Sequence, residues 1–162
     1  FEYSVEKIDQ VYAKDEPVSS SKIRTYIQNG EVTKAKELLT RPVIVRGKVV
    51  EGFKRGRQIG FPTANIQLSG DSLIPPEGVY AVYILLDGVK YKAMLNIGKN
   101  PTFGNQDLSI EAHIFDFASD IYGKSVDCWF IDRIRDVKKF DGVDELKTQL
   151  ALDAVVVRER LG

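Results

Sequence analysis

Residues 78–97 read GVYAVYILLDGVKYKAMLNI and contain a strong hairpin signal. The runs Gly78–Leu86 and Tyr91–Ile97 are rich in β-branched and aromatic residues, which favour strands. Between them stands Asp87-Gly88, a pair typical of the two-residue turn that joins antiparallel strands. The stretch therefore predicts a β-hairpin.

Further strand-like runs flank this hairpin, and no helical pattern interrupts them. They are Val43–Val50, Ser109–Phe117 and Val126–Ile131. Several short strands at such spacing, without intervening helices, favour a closed antiparallel barrel. We therefore expect a mainly β fold, a small Greek-key-like barrel of about six strands.

Helical patterns appear at both ends of the chain. The segment Val18–Leu39 predicts two short helices separated by the stop signal Asn29-Gly30, and serines at 19–21 offer N-caps for the first. The C-terminal segment predicts one long helix, with Asp141 as its expected N-cap. The expected apolar face of that helix consists of Val143, Leu146, Leu150, Ala154, Val157 and Leu161.

Composition excludes several classes of function. The chain has 162 residues, with 23 Lys and Arg against 23 Asp and Glu, so it lacks the basic excess of a general nucleic-acid binder and we expect no nucleic-acid partner. Its single cysteine, Cys128, lies in a strand-like run, and we expect a buried apolar residue in a reduced, cytoplasmic setting. No apolar stretch approaches membrane-spanning length, so we expect a soluble protein with no membrane partner.

The chemistry is concentrated in residues 56–65, which read GRQIGFPTAN. Glycines let backbone N–H groups approach an anion closely, and Arg57 adds a positive fork. On an extended segment, alternation points the side chains of Thr63 and Asn65 to the same side. Their two neutral oxygens suffice for a Mg²⁺ ion, because Mg²⁺ takes its other ligands from water and nucleotide phosphates. The alternative is a Gly/Pro turn entering a strand, with both side chains capping backbone groups.

The run GRQIGFPTAN resembles the signature of the riboflavin kinase family, including the kinase module at the C-terminal end of bacterial bifunctional FAD synthetases. The resemblance extends over residues 41–162 and implies a small barrel followed by one long helix. It also implies an ATP- and Mg²⁺-dependent kinase that phosphorylates the 5′-hydroxyl of riboflavin to give FMN. The run is neither a P-loop nor a G-x-G-x-x-G dinucleotide turn.

The first forty residues carry a second resemblance. The run VSSSKIR, at residues 18–24, is similar to the motif that ends the adenylyltransferase module of bacterial FAD synthetases. This similarity implies that residues 1–40 are the helical tail of such a module, which would be the N-terminal partner of the kinase in the full-length parent. The His-x-Gly-His motif of that module is missing, because His113 is the only histidine. We therefore expect this chain to make FMN but not FAD.

The resemblance also assigns roles to individual residues. In the strand SIEAHI, alternation puts Glu111 and His113 on the face opposite the isoleucines, where a carboxylate is ordinarily a solvated residue. Similarity to the Ile-Glu-x-His strand of the family implies that Glu111 is catalytic, whereas the role of His113 is left unassigned. The family's other positions fall here on Gly52, Arg57, Thr63, Ile114, Asp116 and Tyr122 for the nucleotide, Thr63 and Asn65 for the metal, and Arg135, Lys138 and Phe140 for the flavin.

Ordinary structural roles remain open for the weaker assignments. Tyr122 is equally consistent with core packing, and residues 134–140 with a charged turn before the helix. Residues 96–103 resemble a family loop and are interpreted as part of the active-site wall without a named contact. Glu51 stands where the family often has a basic residue, which puts the affinity for ATP in doubt. Rival functions are a non-catalytic flavin-binding barrel and a barrel that binds RNA or protein; the balanced charge argues against the latter.

Overall fold

The computed structural model describes residues 4, 6, 9–13, 15–52, 55–70, 72–99 and 108–162, with the side chains at 16, 55 and 57 excepted. The strands are β1 (Tyr12–Ala13), β2 (Glu16–Pro17), β3 (Val43–Val50), β4 (Ala64–Leu68), β5 (Gly78–Leu86), β6 (Val89–Lys99), β7 (Leu108–Ile114) and β8 (Ser125–Arg135). The helices are α1 (Ser20–Gln28), α2 (Val32–Leu39), α3 (Arg55–Gln58) and α4 (Val143–Leu161).

Six of these strands form the predicted closed antiparallel barrel. Their order around it is β3-β4-β7-β6-β5-β8, and β8 pairs back onto β3. The predicted hairpin joins β5 to β6, where Asp87 and Gly88 have φ angles of 48° and 83°, the left-handed pair that this turn requires. The five predicted strand runs do not include β4, because its sequence ANIQL contains few strong strand formers.

Two strand boundaries differ from those predicted by more than two residues. The run Ser109–Phe117 was too long, since β7 ends at Ile114 and Asp116 turns the backbone with a φ of 55°. The run ending at Ile131 was too short. The strand β8 continues to Arg135, and two register shifts against β5 accommodate its extra residues.

The barrel interior follows strict alternation. In β3 the inward residues Val43, Val45 and Val49 are buried, and their outward neighbours are more exposed. The same interior cluster contains Tyr80, Val82, Ile84, Leu95, Ile97, Ile110, Ala112, Ile114, Val126, Cys128 and Phe130. Cys128 is buried as predicted, and burial raises the pKa of its thiol to about 12, so it is not a nucleophile.

The helices α1 and α2 complete this interior. Ser19 caps α1 by accepting a hydrogen bond from the N–H of Lys22, in accord with the predicted cap. Ile27, Val32 and Ala35 belong to the same buried cluster as the strands. The packing therefore crosses residue 40, and the division into modules at that point stays a prediction.

Helix α4 packs on the outside of the barrel against β5, β6 and β8. Its inward residues are Leu150, Ala154, Val157 and Leu161, but Asp153 also lies on this face and Val143 does not, being 60% exposed. The predicted cap was wrong as well: Gly142 is the N-cap, and the backbone N–H of Asp141 donates to Glu145 instead. None of the helices within the described ranges is long and apolar enough to cross a membrane.

Candidate active site

Glu111 lies on the outer surface of the barrel, in the middle of β7. Its neighbours Ile110 and Ala112 point inward and are buried, so alternation turns Glu111 outward. Two hydroxyl groups hold its carboxylate. The Oγ1 of Thr63 donates to Oε2 at 3.3 Å, and the Oγ of Ser109 donates to Oε1 at 3.0 Å. Each carboxylate oxygen retains a lone pair, so the fixed group can still accept a proton from a substrate hydroxyl.

Asn65 lies beside Glu111 on the neighbouring strand. The two residues are directly paired in the β4–β7 ladder, so their side chains share the outer face. Gly52 lies against the amide of Asn65, and a Cβ at position 52 would collide with it. Glycine at 52 therefore allows the backbone at this position to approach the oxygen-bearing side chain of Asn65.

The donor set at this point suits a hard cation. Thr63, Asn65 and Glu111 supply a hydroxyl, an amide carbonyl and a carboxylate on one surface. Among the residues the structure describes, no three His, Cys, Asp or Glu side chains gather into a metal site. These oxygens therefore fit Mg²⁺, which retains waters and draws its remaining ligands from phosphates, better than a metal that needs a complete protein cage.

The glycine-rich segment makes a tight turn before Thr63. The backbone N–H groups of Ile59 and Phe61 donate to the carbonyl of Gly56 at 3.2 and 2.8 Å. A Cβ at Gly56 would run into the carbonyl of Phe61, so this turn needs glycine there. Arg57 lies in α3, and its side chain falls outside the described part of the structure.

His113 has a positioning role that the sequence left unassigned. Its Nδ1 lies 2.8 Å from the carbonyl oxygen of Pro62, so a proton on Nδ1 makes a hydrogen bond to the residue before Thr63. The imidazole also packs edge-on against Phe61 and Phe115, at centroid distances of 5.3 and 5.4 Å. The ring thus fixes the segment that delivers Thr63 to Glu111.

A cleft of about 610 Å³ opens beside Thr63 and has a volume typical of small-molecule sites. Three of the predicted nucleotide residues, Thr63, Ile114 and Tyr122, line it. Glu51 also lies on its wall, which makes this carboxylate a neighbour of any bound anion. The complete lining is Val49, Glu51, Pro62, Thr63, Ala64, Ile114, Phe117, Ala118, Ser119, Asp120, Ile121 and Tyr122.

Asp116 does not line this cleft but is bound to helix α4. The two Nη atoms of Arg158 donate to its carboxylate at 2.9 and 3.1 Å, and the same guanidinium stacks 4.3 Å from the centroid of Phe115. The hydrogen bonds from Arg158 hold the pKa of Asp116 below its usual value. In this arrangement Asp116 fixes the turn that follows β7.

The three predicted flavin residues come together at the end of β8. The guanidinium carbon of Arg135 lies 5.8 Å from the ring centroid of Phe140, and the Nζ of Lys138 lies 5.5 Å from it. Glu145 of α4 accepts hydrogen bonds from the Asp141 N–H at 3.0 Å and from Lys138 at 3.1 Å. Both contacts lower the pKa of the Glu145 carboxyl.

Arg135 is held by a buried carboxylate that the sequence did not reveal. Its Nε lies 3.0 Å from both oxygens of Asp153, and its Nη2 lies 2.6 Å from Oδ2. Gln149 donates to the same carboxylate at 2.9 Å, and Nη1 of Arg135 donates to the carbonyl of Asp136. These bonds engage all three nitrogens of the guanidinium and fix its plane, so its planar face and the two remaining N–H groups are left for a ligand.

One row of directly paired residues connects Asn65 and Glu111 with Arg135 of the predicted flavin cluster. Across the outer faces of five neighbouring strands it runs through Asn65, Glu111, Asn96, Val79 and Arg135. Glu111 and Arg135 are three strand spacings apart, or about 14 Å along the sheet. The register also places Asn96 next to Glu111. The sequence predicted an active-site wall at residues 96–103 but did not predict this pairing. Residues 100–103 of that wall lie outside the described ranges.

Two curated relatives with similar sequences carry the same name. A Bacillus subtilis bifunctional riboflavin kinase/FMN adenylyltransferase is 42% identical over 90% of this chain and 47% of its own length. The Listeria monocytogenes protein of the same name is 43% identical over 93% of this chain and 48% of its own. The chain thus spans about half the length of the curated relatives it matches.

Solved structures share the fold. A Streptococcus pneumoniae structure described as a macrolide-efflux protein is 44% identical, with a TM-score of 0.87 over 93% of this chain and 50% of that one. The riboflavin kinase of Trypanosoma brucei is 28% identical, with a TM-score of 0.56 over 75% of this chain and 80% of its own. The family model for riboflavin kinase matches residues 39–161, and the chain therefore belongs to the riboflavin kinase family.

Proposed function

We propose that this chain transfers the γ-phosphoryl group of ATP to the 5′-hydroxyl of riboflavin, giving FMN and ADP. The observation that carries the proposal is the position of Glu111. Its carboxylate is fixed by two hydroxyls, stands beside Thr63 and Asn65, and lies in one strand row with Arg135. A donor cleft and an aromatic-basic cluster therefore lie on opposite sides of one candidate proton acceptor.

On the donor side, the cleft beside Thr63 would receive the nucleotide, with Ile114 and Tyr122 against it. Gly52 and Arg57 would contact the phosphates, where glycine permits close backbone approach. Thr63 and Asn65 would hold magnesium, which neutralises charge on the transferring phosphates. Asp116 would act through the turn that it fixes with Arg158.

On the acceptor side, Phe140 and the planar face of Arg135 offer surfaces on which an aromatic ring system can stack. Lys138 adds a positive charge beside that ring. A flavin held there would extend its ribityl chain toward Glu111, whose carboxylate would take the proton from the terminal hydroxyl. In-line transfer then depends on positioning and on charge neutralisation.

Two further proposals concern the full-length parent and its cellular setting. The relatives are named as bifunctional with an FMN adenylyltransferase, so we infer that a full-length parent would carry that module on the N-terminal side of the kinase. The buried, unpaired Cys128 supports a reduced, cytoplasmic setting.

The proposed activity predicts which flavin accumulates. Incubated with riboflavin, ATP and magnesium, the 162-residue chain should form FMN, detected by chromatography. Supplied with FMN instead, it should form no FAD, because the sequence contains no His-x-Gly-His motif. The proposed kinase site would present only the γ-phosphate of ATP to the flavin. Flavin binding without turnover would favour the rival non-catalytic barrel, and sustained FAD synthesis would contradict the division at residue 40.

The metal side predicts a separation of turnover from binding. Thr63→Ala or Asn65→Ala removes one oxygen from the cation site, and we expect kcat to fall by about tenfold to a hundredfold while the affinity for riboflavin changes little. Turnover and quenching of riboflavin fluorescence should be measured in parallel. Thr148→Ala on the exposed surface of α4 is the matched control. Equal losses of turnover and binding would contradict the assignment.

A further inference from the structure

We propose that Asn96 binds the polyol chain of the acceptor and so sets the preference of the site for a polyhydroxylated substrate. The inference rests on the proposed function and adds a specificity residue to it. It begins from the strand register, in which Asn96 of β6 is paired with Glu111 on one side and with Val79 on the other. Asn96 is therefore the residue between the candidate proton acceptor and the strand that borders Arg135.

The side chain of Asn96 faces outward and is accessible. Its neighbours Leu95 and Ile97 are both fully buried in the barrel, so alternation places the amide on the same face as Glu111. Asn96 itself is half-buried. Val79 is only 3% exposed, because it belongs to the apolar cluster that contains Val157 and Leu161 of α4. Moving from Glu111 toward Arg135, Asn96 is thus the last accessible side chain of the row before the helix covers the sheet.

The amide of Asn96 is available to a ligand. Within the described part of the chain it makes no hydrogen bond, although Glu111 beside it accepts two. Gly98, two residues along the same face, leaves space next to it, since a Cβ there would lie 3.3 Å from the Nδ2 of Asn96. An amide supplies donors and an acceptor at once, which matches a hydroxyl that also does both.

The position of this amide determines which part of the substrate it meets. The terminal hydroxyl must reach Glu111, and the ring is assigned to Phe140 and Arg135. The strand adjacent to Glu111 then carries the middle of the connecting chain, about 4.8 Å from the reacting end. In riboflavin the atoms there are secondary hydroxyls, so a polar side chain at this point distinguishes a polyol from a plain alkyl chain.

The test compares two acceptors in two proteins. The first is riboflavin, and the second is the same isoalloxazine with a 5-hydroxypentyl chain, which keeps the ring and the terminal hydroxyl but lacks the secondary hydroxyls. In the unaltered chain kcat/KM should favour riboflavin. In Asn96→Ala we expect kcat/KM for riboflavin to fall about tenfold, mostly through KM, while the value for the analogue hardly changes. Gln67→Ala, an exposed amide on the outer face of β4, is the control.

The outcomes distinguish the role of Asn96 from the proposed kinase function. Loss of preference for riboflavin in Asn96→Ala, with Gln67→Ala unchanged, supports the role of Asn96. An equal loss of kcat/KM for both acceptors would overturn it and leave the kinase function intact. Absence of phosphorylation of either flavin by the unaltered chain would overturn both. If Asn96→Ala does not fold, Asn96→Val, which has no hydrogen-bonding group in its side chain, serves in its place, and an unchanged ratio in that variant overturns the role.

Discussion

Replacing Glu111 with glutamine should lower kcat by on the order of 10²- to 10⁴-fold and leave the thermal stability nearly unchanged. Glutamine keeps the shape of the side chain but has no basic oxygen to take the proton of the acceptor hydroxyl. The fold should tolerate the change, because the hydroxyls of Thr63 and Ser109 can rotate to accept from an amide as well as donate to a carboxylate.

Turnover of riboflavin and thermal unfolding should be followed on the same preparations. Glu159→Gln, an exposed carboxylate on α4, makes the same chemical change away from the site and should alter neither quantity appreciably. If Glu111→Gln retained near-normal turnover, Glu111 would be an ordinary residue of the strand surface. A large loss of stability would instead indicate that the carboxylate holds Thr63 and Ser109 in place.

The barrel could be predicted because its signals are local. Alternation in β3 and the Asp87-Gly88 turn each depend on a few neighbouring residues, and the structure reproduces both. The outward direction of Glu111 follows from the same alternation. Its proposed role did not come from the residues alone, since an outward carboxylate on a strand is ordinarily solvated; the resemblance to a family supplied it.

Long-range pairings could not be predicted in this way. Asn96 and Glu111 are neighbours only because β6 and β7 pair in one particular register. Alternation fixes which face of each strand is buried, but a shift by two residues would satisfy it equally well. Ser109 could have been noticed, because it stands two residues before Glu111 on the same face and holds it by a hydrogen bond. The ion pair of Asp116 with Arg158 joins residues 42 apart along the chain, and periodicity carries no information about it.

Asp153 shows most clearly where a periodic pattern misleads. It lies between Leu150 and Val157 on the buried face of α4, a position that the pattern reserves for an apolar residue. Its carboxylate is tolerated because Arg135 and Gln149 satisfy it. The helix is thereby joined to the end of β8, which carries the proposed flavin cluster.

Asp153→Asn should accordingly lower the free energy of unfolding by about 3 kcal/mol, the low end of what is measured when one partner of a buried ion pair is removed. The side chain of Asp153 is 3% exposed and that of Arg135 is 21% exposed, so the guanidinium would be left largely buried without a counter-charge. For a chain of this length the loss corresponds to a melting temperature lower by about 6–12 °C. Asp144→Asn, in the exposed first turn of α4, is the matched control and should cost less than about 1 kcal/mol.

A double variant separates the structural and the ligand-binding parts of this pair. In Arg135→Met with Asp153→Leu both charges are gone, so stability should recover relative to Asp153→Asn alone. Riboflavin affinity should stay low in the double variant if the guanidinium face stacks on the flavin, because methionine cannot replace a planar cation. Chemical denaturation and fluorescence quenching measure the two effects independently. Equal unfolding free energies for Asp153→Asn and Asp144→Asn would contradict the buried ion pair, and normal flavin affinity in the double variant would remove Arg135 from the proposed site.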